Sequence, residues 1–372
     1  MINKNILKLT LTICLTLVLS MGAMAQDTVK IGLSAPISGT YAEYGENFEY
    51  SVKIAADQIN EAGGIRGKQI EIIVRDSEGN PARAASIAQE FVNNPEIVAE
   101  IGDFTSTACL AAAPIYEAAG MVQLSPTASH PDFAPSGDYM FGIVGTQAQE
   151  GPFNVEYIAQ EYLGIKSAAV VYINNDWGVA TMEQFVKAAE EKGLEITGTE
   201  PHMEGETDFS ALLTNLQRGN PEGIYIADMY NEASLIVRQI DRMGWDVAKL
   251  GPSSIFSMEF LELAGDAGEG VVTNTIFYWA EERDLVQEYV AEFENRAGRR
   301  PNLHAAVAYD SMLLLADAME RGGFERSDIR DALAETGTFM GVTGEFQLTD
   351  AGDVIRHYLI LEVKDNDWVV LE

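Results

Sequence analysis

The stretch VAEIGDFTSTACLAAAPIYEAAGMVQLSPTAS, residues 98–129, decides the fold of this 372-residue chain. It opens with a short apolar run at 98–101, passes through a polar loop into a helical segment near 107–118, and ends in a second apolar run at 122–124. Two short apolar runs separated by a helix are typical of the βαβ unit, whose strands pair in parallel. The stretch therefore predicts a parallel sheet flanked by helices.

Segments of the same kind continue on both sides of this stretch, in two series. Apolar runs rich in Val and Ile alternate with longer segments of helical period, which indicates repeated βαβ units. In the first series we predict further strands at 29–34 and 70–74 and helices at 47–60 and 83–92. In the second we predict a helix near 152–162, strands at 168–173, 195–199, 223–227 and 270–274, and helices near 179–191, 209–218 and 234–243. Helices near 285–297, 303–321 and 327–334 and a β-rich tail at 342–371 follow.

Two comparable α/β series indicate an α/β fold of two lobes. The tail must return to one or both lobes, so the chain is expected to cross between them more than once. A cleft between two lobes is the default place for a small-molecule site.

Residues 1–25 have the pattern of a cleavable export signal. Lys4 and Lys8 precede an apolar run at 9–21, and Ala23-Met24-Ala25 is a small-x-small cleavage pattern, so we predict cleavage before Gln26. The run is too short for a membrane span of roughly 20 residues. Cys14 follows Ile13 and no cysteine stands at the cut, so we predict no lipid anchor. The protein is expected to act outside the cytoplasm.

The composition is strongly acidic, with 24 Lys and Arg against 57 Asp and Glu. Losing Lys4 and Lys8 takes the formal net charge from −33 to −35, which makes nucleic acid or an anionic membrane an unsuitable partner. Such an acid excess also resembles surfaces adapted to salt, a hypothesis that stability measured against NaCl concentration tests. Cys109 is the one cysteine beyond the signal, so no intramolecular disulfide is expected.

The sequence carries none of the common catalytic or metal-binding motifs. Its histidines are scattered, no cysteine pair is available for zinc, and no Gly-x-Ser-x-Gly elbow occurs. The glycine-rich runs at 62–68 and 265–270 lack the Ser or Thr and the following helix of a phosphate loop, so we interpret them as turns. We therefore predict no catalytic residue, no metal and no cofactor.

Hydroxyl side chains cluster after two neighbouring strands. Gly102-Asp103-Phe104-Thr105-Ser106-Thr107 follows the first strand of the opening stretch, and Ser125-Pro126-Thr127-Ala128-Ser129 follows the second. The carboxyl ends of parallel strands lie on one rim, so the two clusters are expected to converge there. Hydroxyls and a helix N-terminus favour an anion. No Lys or Arg occurs between Arg83 and Lys166, so neutral donors would hold that anion.

Aromatic side chains also follow predicted strand ends and are candidates for burying the apolar part of a bound molecule. They are Tyr41, Tyr44, Trp177 and Tyr230. Trp177 is the strongest candidate, because its surroundings, Asn174-Asn175-Asp176-Trp177-Gly178, are too polar for a core.

These residues resemble those of the solute-binding proteins of ABC transporters in the leucine/isoleucine/valine-binding family, the type I periplasmic binding proteins. The resemblance covers essentially the whole mature chain. It rests on Ile31-Gly32-Leu33-Ser34-Ala35-Pro36-Ile37-Ser38-Gly39 with Tyr44-Gly45, Ala62-Gly63-Gly64-Ile65-Arg66-Gly67, Thr105-Ser106-Thr107 with Pro114-Ile115-Tyr116, Ser125-Pro126-Thr127-Ala128-Ser129, Asn175-Asp176-Trp177-Gly178 and Ala308-Tyr309-Asp310.

The resemblance implies two Rossmann-like, doubly wound lobes joined by three crossovers and closing on a solute. We assign 26–146 plus 278–350 to lobe one and 147–277 plus 351–372 to lobe two. It further implies a monomeric, unlipidated periplasmic protein that binds a small organic solute and presents it to the membrane subunits of an ABC permease. A free-standing sensory protein with the same fold is the alternative.

Carried over residue by residue, the resemblance also implies a set of solute-binding positions. The carboxylate-holding groups of the family fall on Ser106, Thr127 and Ser129, and the flanking positions on Tyr44, Phe104, Thr105 and Ala128, with Trp177 covering the solute. The chain departs from the family where an acid that holds an ammonium follows Gly-Pro, because Gly251-Pro252 is followed here by Ser253. Met229 and His304 stand where aromatics are common.

This departure leaves the class of solute open. Asp228 or Asp103 could take over the ammonium. Branched-chain or other amino acids and amine-free aromatic or aliphatic carboxylates fit nearly equally, and a small amide or neutral solute comes third.

Overall fold

The structure is a computed structural model, and it describes residues 27–371. The predicted export signal, 1–25, lies outside these residues. Within them, no helix combines the length and the apolar character needed to cross a bilayer.

The first lobe contains a five-stranded sheet in which all pairings are parallel, in the order β2-β1-β3-β4-β5. Its strands are β1 Thr28–Ala35, β2 Gln69–Asp76, β3 Ile97–Gly102, β4 Val122–Ser125 and β5 Met140–Gly142. Its connecting helices are α1 Ala42–Glu61, α2 Pro81–Asn93 and α3 Ser106–Ala118. In the opening stretch of the sequence, β3 and β4 pair in parallel and α3 joins them, as predicted.

The second lobe contains a seven-stranded sheet, in the order β15-β14-β10-β9-β8-β6-β7. Its strands are β6 Ser167–Ile173, β7 Glu195–His202, β8 Gly223–Ala227, β9 Ala248–Leu250, β10 Val271–Thr275, β14 Leu359–Lys364 and β15 Asp367–Val370. Its helices are α4 Gln147–Phe153, which continues as π-helix over Asn154–Tyr162, α5 Asp176–Lys192, α6 Ser210–Gln217, α7 Tyr230–Arg242 and α8 Met258–Ala264. The tail strands β14 and β15 join this sheet antiparallel, which explains the return of the chain.

Three further helices and a small third sheet complete the structure. The helices are α9 Asp284–Ala297, α10 Leu303–Gly322 and α11 Arg326–Ala334, and the strands are β11 Thr338–Gly341, β12 Gly344–Leu348 and β13 Val354–Ile355. Helix α10 packs along α1, so this segment belongs to the first lobe. Most of this helix is buried, including Val307, Leu314 and Leu315.

The chain crosses between the lobes three times, as the resemblance implied. The crossings lie after β5, after β10 and between β13 and β14. We predicted the last boundary after residue 350, but β13 still pairs with β12, so we place the third crossing after Ile355.

Arg356 links two of the crossings from a buried position. Its Nε donates to Ile143 O over 2.8 Å and one terminal nitrogen donates to Thr343 Oγ1 over 3.0 Å. The guanidinium also lies 4.0 Å above the Phe346 ring. Asp310 accepts hydrogen bonds from the backbone N–H groups of Val342 and Thr343, at 2.8 and 2.9 Å. The crossings are therefore tied together by buried polar contacts.

Candidate functional site

A cavity of about 530 Å³, counting its mouth, lies between the two lobes. A cleft between two lobes is a common place for a small-molecule site. It is lined by Phe104, Thr105, Ser106, Thr127, Ser129, Val144, Gly145, Glu150, Trp177, Met229, Ser253, Ser254, Ile276, Leu303, His304 and Tyr358. Both hydroxyl clusters of the first lobe are present, so the predicted convergence of the two strand ends is observed.

The hydroxyls of Ser106 and Ser129 are placed to donate into the cavity. Ser106 Oγ accepts from the backbone N–H of His130 at 3.3 Å, and Ser129 Oγ accepts from the indole Nε1–H of Trp177 at 3.1 Å. Each oxygen thus accepts one hydrogen bond from the protein, and among residues 27–371 neither hydroxyl hydrogen has an acceptor, so each can donate to another partner. The Thr105 hydroxyl, whose Oγ1 accepts from Ala108 N at 3.1 Å, is in the same state, so all three hydroxyls are available as donors to the cavity.

Thr127 behaves differently from the two serines. Its Oγ1 lies 2.7 Å from Phe104 O, and since a carbonyl oxygen only accepts, the threonine hydroxyl donates its hydrogen there. The side chain therefore joins the two loops that follow β3 and β4. This contact makes Thr127 a positioning residue for the loops more than a donor to a bound anion.

The N-terminus of α3 adds a positive electrostatic contribution. The helix begins at Ser106, and the Thr105 hydroxyl caps it by accepting from Ala108 N at 3.1 Å. The first N–H groups of a helix have no partner within it and carry partial positive charge. Neither Lys nor Arg is among the described residues that line the cavity. An anion bound here would have only neutral donors among these lining residues, and the anion itself stays a prediction.

Trp177 closes the cavity from the second lobe. The Asn175 side chain caps α5 by accepting from Gly178 N at 2.8 Å, which places Trp177 in the first turn. A side chain at Gly178 would overlap Ile173 O, so glycine lets the helix start directly against β6. Trp177 is 5% exposed because both lobes cover it. Its polar neighbours in the sequence lie at the lobe surface.

Three aromatic rings form one wall. The Tyr44 ring stacks on Phe104 with centroids 4.1 Å apart, and His304 meets Tyr44 edge-on at 4.7 Å. Phe104 and His304 line the cavity, whereas Tyr44 lies behind them. Burial lowers the pKa of His304 to about 3, so this imidazole is neutral near pH 7. It offers an uncharged polar edge to the cavity.

Tyr44 also bonds directly to the second lobe. Its hydroxyl donates to Ser254 O at 2.9 Å and accepts from the backbone N–H of Tyr230 at 3.2 Å. Asn231 Nδ2 donates to Thr40 O at 2.7 Å nearby. The structure therefore shows the lobes in contact across the cleft.

Glu150 is a cavity-lining residue that the sequence interpretation missed. It lies in α4, the first helix after the first crossing, and is 6% exposed. Its Oε1 accepts from Ser253 N at 2.7 Å and from Asn274 Nδ2 at 2.9 Å. These two hydrogen-bond partners lie more than 100 residues from Glu150 in the sequence. The one sequence signal for Glu150 was its position a few residues after the first crossing between the lobes.

Most of the predicted site residues meet at this cavity. Those that line it are Phe104, Thr105, Ser106, Thr127, Ser129, Trp177, Ser253 and His304. Tyr44, Ala128 and Asp228 do not line it. Ala128 is buried beside it, with its N–H bonded to Ser125 Oγ at 2.9 Å.

Asp228 faces away from the cavity. Its carboxylate bonds to His202 Nε2 and accepts from Met229 N at 2.9 Å, and its side chain is fully buried. Burial raises the pKa of Asp228 despite these bonds. Asp103 is likewise buried, accepting from Ser34 Oγ at 2.8 Å. Neither acid is placed to hold an ammonium in the cavity.

Across residues 27–371, no three His, Cys, Asp or Glu side chains are grouped so as to hold a metal ion. The cavity itself contains one carboxylate, Glu150, and one imidazole, His304. Its chemistry is therefore that of hydrogen-bond donors, aromatic faces and a single acid.

Comparison with known proteins identifies the arrangement. Residues 28–367 match the sequence model of a family described as periplasmic binding protein. A leucine-, isoleucine-, valine-, threonine- and alanine-binding protein of Pseudomonas aeruginosa is 27% identical over 337 residues, covering 89% of this chain and 88% of that protein. The solved structure of the branched-chain amino acid transporter substrate-binding protein of Streptococcus pneumoniae, in complex with isoleucine, superposes with a TM-score of 0.86 at 29% identity, covering 93% of this chain and 99% of that one. A leucine-binding protein of Thermotoga maritima superposes with a TM-score of 0.87 at 26% identity, covering 93% and 98%.

Proposed function

Since this chain belongs to the periplasmic binding protein family, we propose that it binds a small carboxylate-bearing solute between its lobes as the receptor of an ABC importer. The single observation that carries the proposal is the pair of serine hydroxyls, Ser106 and Ser129, whose hydrogens have no acceptor among the described residues and can donate into the cavity. The relatives described above bind amino acids, which carry the same carboxylate. The protein acts by binding, and its partners are the solute and the membrane subunits of a permease.

The energetics of such a site depend on neutral donors. Each hydrogen bond to a charged group contributes about 1.5–3 kcal/mol. The two serine hydroxyls and the first N–H groups of α3 supply enough bonds to offset the several kcal/mol that desolvation of a carboxylate costs. Further affinity comes from burying the apolar part of the solute against Phe104, Trp177 and Leu303.

Lobe closure supplies the remaining part of the mechanism. The bonds from Trp177 to Ser129 and from Tyr44 to Ser254 join opposite lobes and exist only when the cleft is closed. A solute that contacts both lobes stabilises this state over the open one and shifts the population towards it. The closed form is then the species that a permease distinguishes from the open one.

Calorimetry on the mature chain, residues 26–372, tests the proposal. We expect saturable binding of at least one small carboxylate and a smaller radius of gyration in small-angle scattering on saturation. Ser106→Ala and Ser129→Ala should each weaken this binding. The proposal fails if carboxylates do not bind, or if both variants bind as well as the parent protein. Size-exclusion chromatography in the same buffer tests the proposed monomer.

A further inference from the structure

We propose that Glu43 and Glu259 form an acid pair across the cleft that takes up a proton when the lobes close, so that the protein binds its solute more tightly in acidic than in alkaline surroundings. Glu43 lies in the first turn of α1 in lobe one, and Glu259 lies in the first turn of α8 in lobe two. The inference rests on the proposed function, because it concerns the closure that a bound solute stabilises.

The two carboxyl groups of the acid pair meet without a donor between them. They lie within hydrogen-bonding reach of each other. Oε2 of Glu43 and Oε2 of Glu259 are both buried, and no N–H or O–H group of residues 27–371 donates to either atom. A carboxylate oxygen only accepts, so a bond between two carboxyl groups needs a proton on one of them. The acid pair therefore shares a proton in the closed form, because two like charges so close together are not both ionised.

Glu43 is held in place from within lobe one. Its Oε1 accepts from Asn302 Nδ2 at 3.0 Å and from Asn47 Nδ2 at 2.5 Å. Asn302 in turn caps α10 by accepting from Ala305 N at 3.0 Å, which fixes its side chain. These bonds lie within one lobe and persist when the cleft opens. The contact between Glu43 and Glu259 joins opposite lobes, so it exists only when the cleft is closed.

One cation serves both members of the acid pair. Nε of Arg299 lies 3.4 Å from Glu259 Oε1, and a terminal nitrogen of the same side chain lies 3.9 Å from Glu43 Oε1. That nitrogen is also 3.8 Å from Glu46 Oε2. Within residues 27–371, no other Lys or Arg makes an ion pair with Glu43 or Glu259. A single guanidinium thus faces three carboxyl groups, which leaves an excess of negative charge unless a proton is bound.

The other surroundings of the acid pair also favour a protonated Glu43. Two phenols, Tyr44 and Tyr230, lie close by, and burial raises the pKa of both, so they stay neutral. Burial likewise raises the pKa of Glu43 well above its ordinary value, and the negative charge of Glu259 raises it further. The positive charge of Arg299 opposes this shift with a smaller effect.

Opening of the cleft reverses the shift, since Glu259 moves away with lobe two and water reaches Glu43. The pKa of Glu43 is therefore higher in the closed form than in the open form, and closure takes up a proton. The stabilisation that this proton gives to the closed form is present at low pH and is lost as the pH rises through the closed-form pKa. Solute affinity includes the free energy of closure, so it should fall as the pH rises.

Calorimetry on the mature chain measures the proton directly. The probes are L-leucine and benzoate, one an amino acid and the other an amine-free carboxylate, and neither changes its charge between about pH 6 and pH 8. At one pH near 6.5, titrations in PIPES and in imidazole give enthalpies whose difference reports the protons taken up from the buffer. We expect a net uptake that approaches about one proton for each solute bound. Between pH 6 and pH 8, Kd should rise on the order of 10-fold, and at most about 100-fold.

Two variants assign this proton to the acid pair. Glu259→Gln removes the need for it, because the new amide can donate to Glu43, and Glu43→Gln does the same from the other lobe. In each variant the proton uptake should be smaller than in the parent, and the ratio of Kd at pH 8 to Kd at pH 6 should approach about one. Glu262→Gln is the matched control, since Glu262 is an exposed acid on the same helix as Glu259. It removes the same charge and should keep the pH dependence of the parent.

The inference is overturned, with the proposed function intact, if the parent binds a probe with the same Kd across this pH range and without proton uptake. A pH dependence that both glutamine variants retain has the same effect. The comparison of buffers uses the parent protein, so it holds even if a variant folds poorly. If no carboxylate binds at any pH between about 6 and 8, the proposed function and the inference fail together.

Discussion

Replacing Tyr44 with Phe tests whether lobe closure contributes to affinity independently of contact with the solute. Tyr44 does not line the cavity, but its hydroxyl makes two bonds to the second lobe, to Ser254 O at 2.9 Å and from Tyr230 N at 3.2 Å. Phe keeps the ring and its stacking on Phe104. The substitution therefore removes only bonds that form on closure.

The size of the effect follows from those two bonds. A net contribution of about 0.5–1.5 kcal/mol for each gives about 1–3 kcal/mol of lost closure free energy. In the open form, water can satisfy the groups that Tyr44 leaves unpaired, so the loss falls on the closed form. If the free energy of closure falls by this amount, the apparent Kd rises by about 5- to 150-fold.

Isothermal titration calorimetry measures this change for any carboxylate that the parent protein binds. Small-angle scattering should show a saturated radius of gyration equal to that of the parent. Tyr50→Phe is the control, because Tyr50 lies on the same helix and packs against Phe293 within lobe one. The reasoning is refuted if Tyr44→Phe binds like the parent, or if Tyr50→Phe weakens binding equally.

Three further predictions concern donors, crossings and charge. Ser106→Ala and Ser129→Ala should each raise the Kd for a carboxylate by about 10- to 150-fold in calorimetry. Thr127→Val loses a bond to the Phe104 carbonyl, so it should lower the free energy of urea unfolding by about 1 kcal/mol and change Kd less. Equal losses of affinity in all three variants would contradict the assignment. Arg356→Met should lower the free energy of unfolding by about 2–4 kcal/mol, because it removes buried bonds to two segments, and an unchanged urea midpoint would contradict this. Burial raises the pKa of Glu232 to about 7 from an ordinary 4.5, so its charged form destabilises the fold increasingly as pH rises from about 4.5 to 7. Glu232→Gln should therefore stabilise the protein by up to about 3 kcal/mol at pH 8 and not at pH 4, and a constant difference in thermal midpoint across this range would oppose the assignment.

Periodicity located the long elements of the fold and failed for the short ones. The helix predicted near 107–118 is α3, Ser106–Ala118, and the strand predicted at 223–227 is β8, Gly223–Ala227. Strands of three residues, such as β5 and β9, are too short to show a period and were missed. Helix α1 begins at Ala42, whereas we predicted its start at residue 47. Tyr44 and Gly45 are typical of a loop in the sequence, but in the structure Gly45 lies in the helix and packs against the Pro36 backbone.

For the candidate site too, the residues that could be predicted are those whose position follows from local sequence and topology, and those that could not depend on contacts distant in sequence. Serines at two adjacent strand ends were predictable, because parallel topology alone brings them together. Asp228 follows a strand end, as an acid of the site would. Only the pairing of β7 with β6 shows that the Asp228 carboxylate is bonded to His202. Glu150 was missed for the converse reason, since its meaning depends on Ser253 and Asn274 more than 100 residues away.

The indole of Trp177, buried between the lobes and bonded to Ser129, has a consequence for the time a solute stays bound. Parting of the lobes breaks the bond between this indole and Ser129 and uncovers the cavity on this side. Because opening breaks the contacts that a solute makes with both lobes, solutes with more such contacts should dissociate more slowly. Differences in affinity among solutes should therefore appear mainly in their dissociation rates.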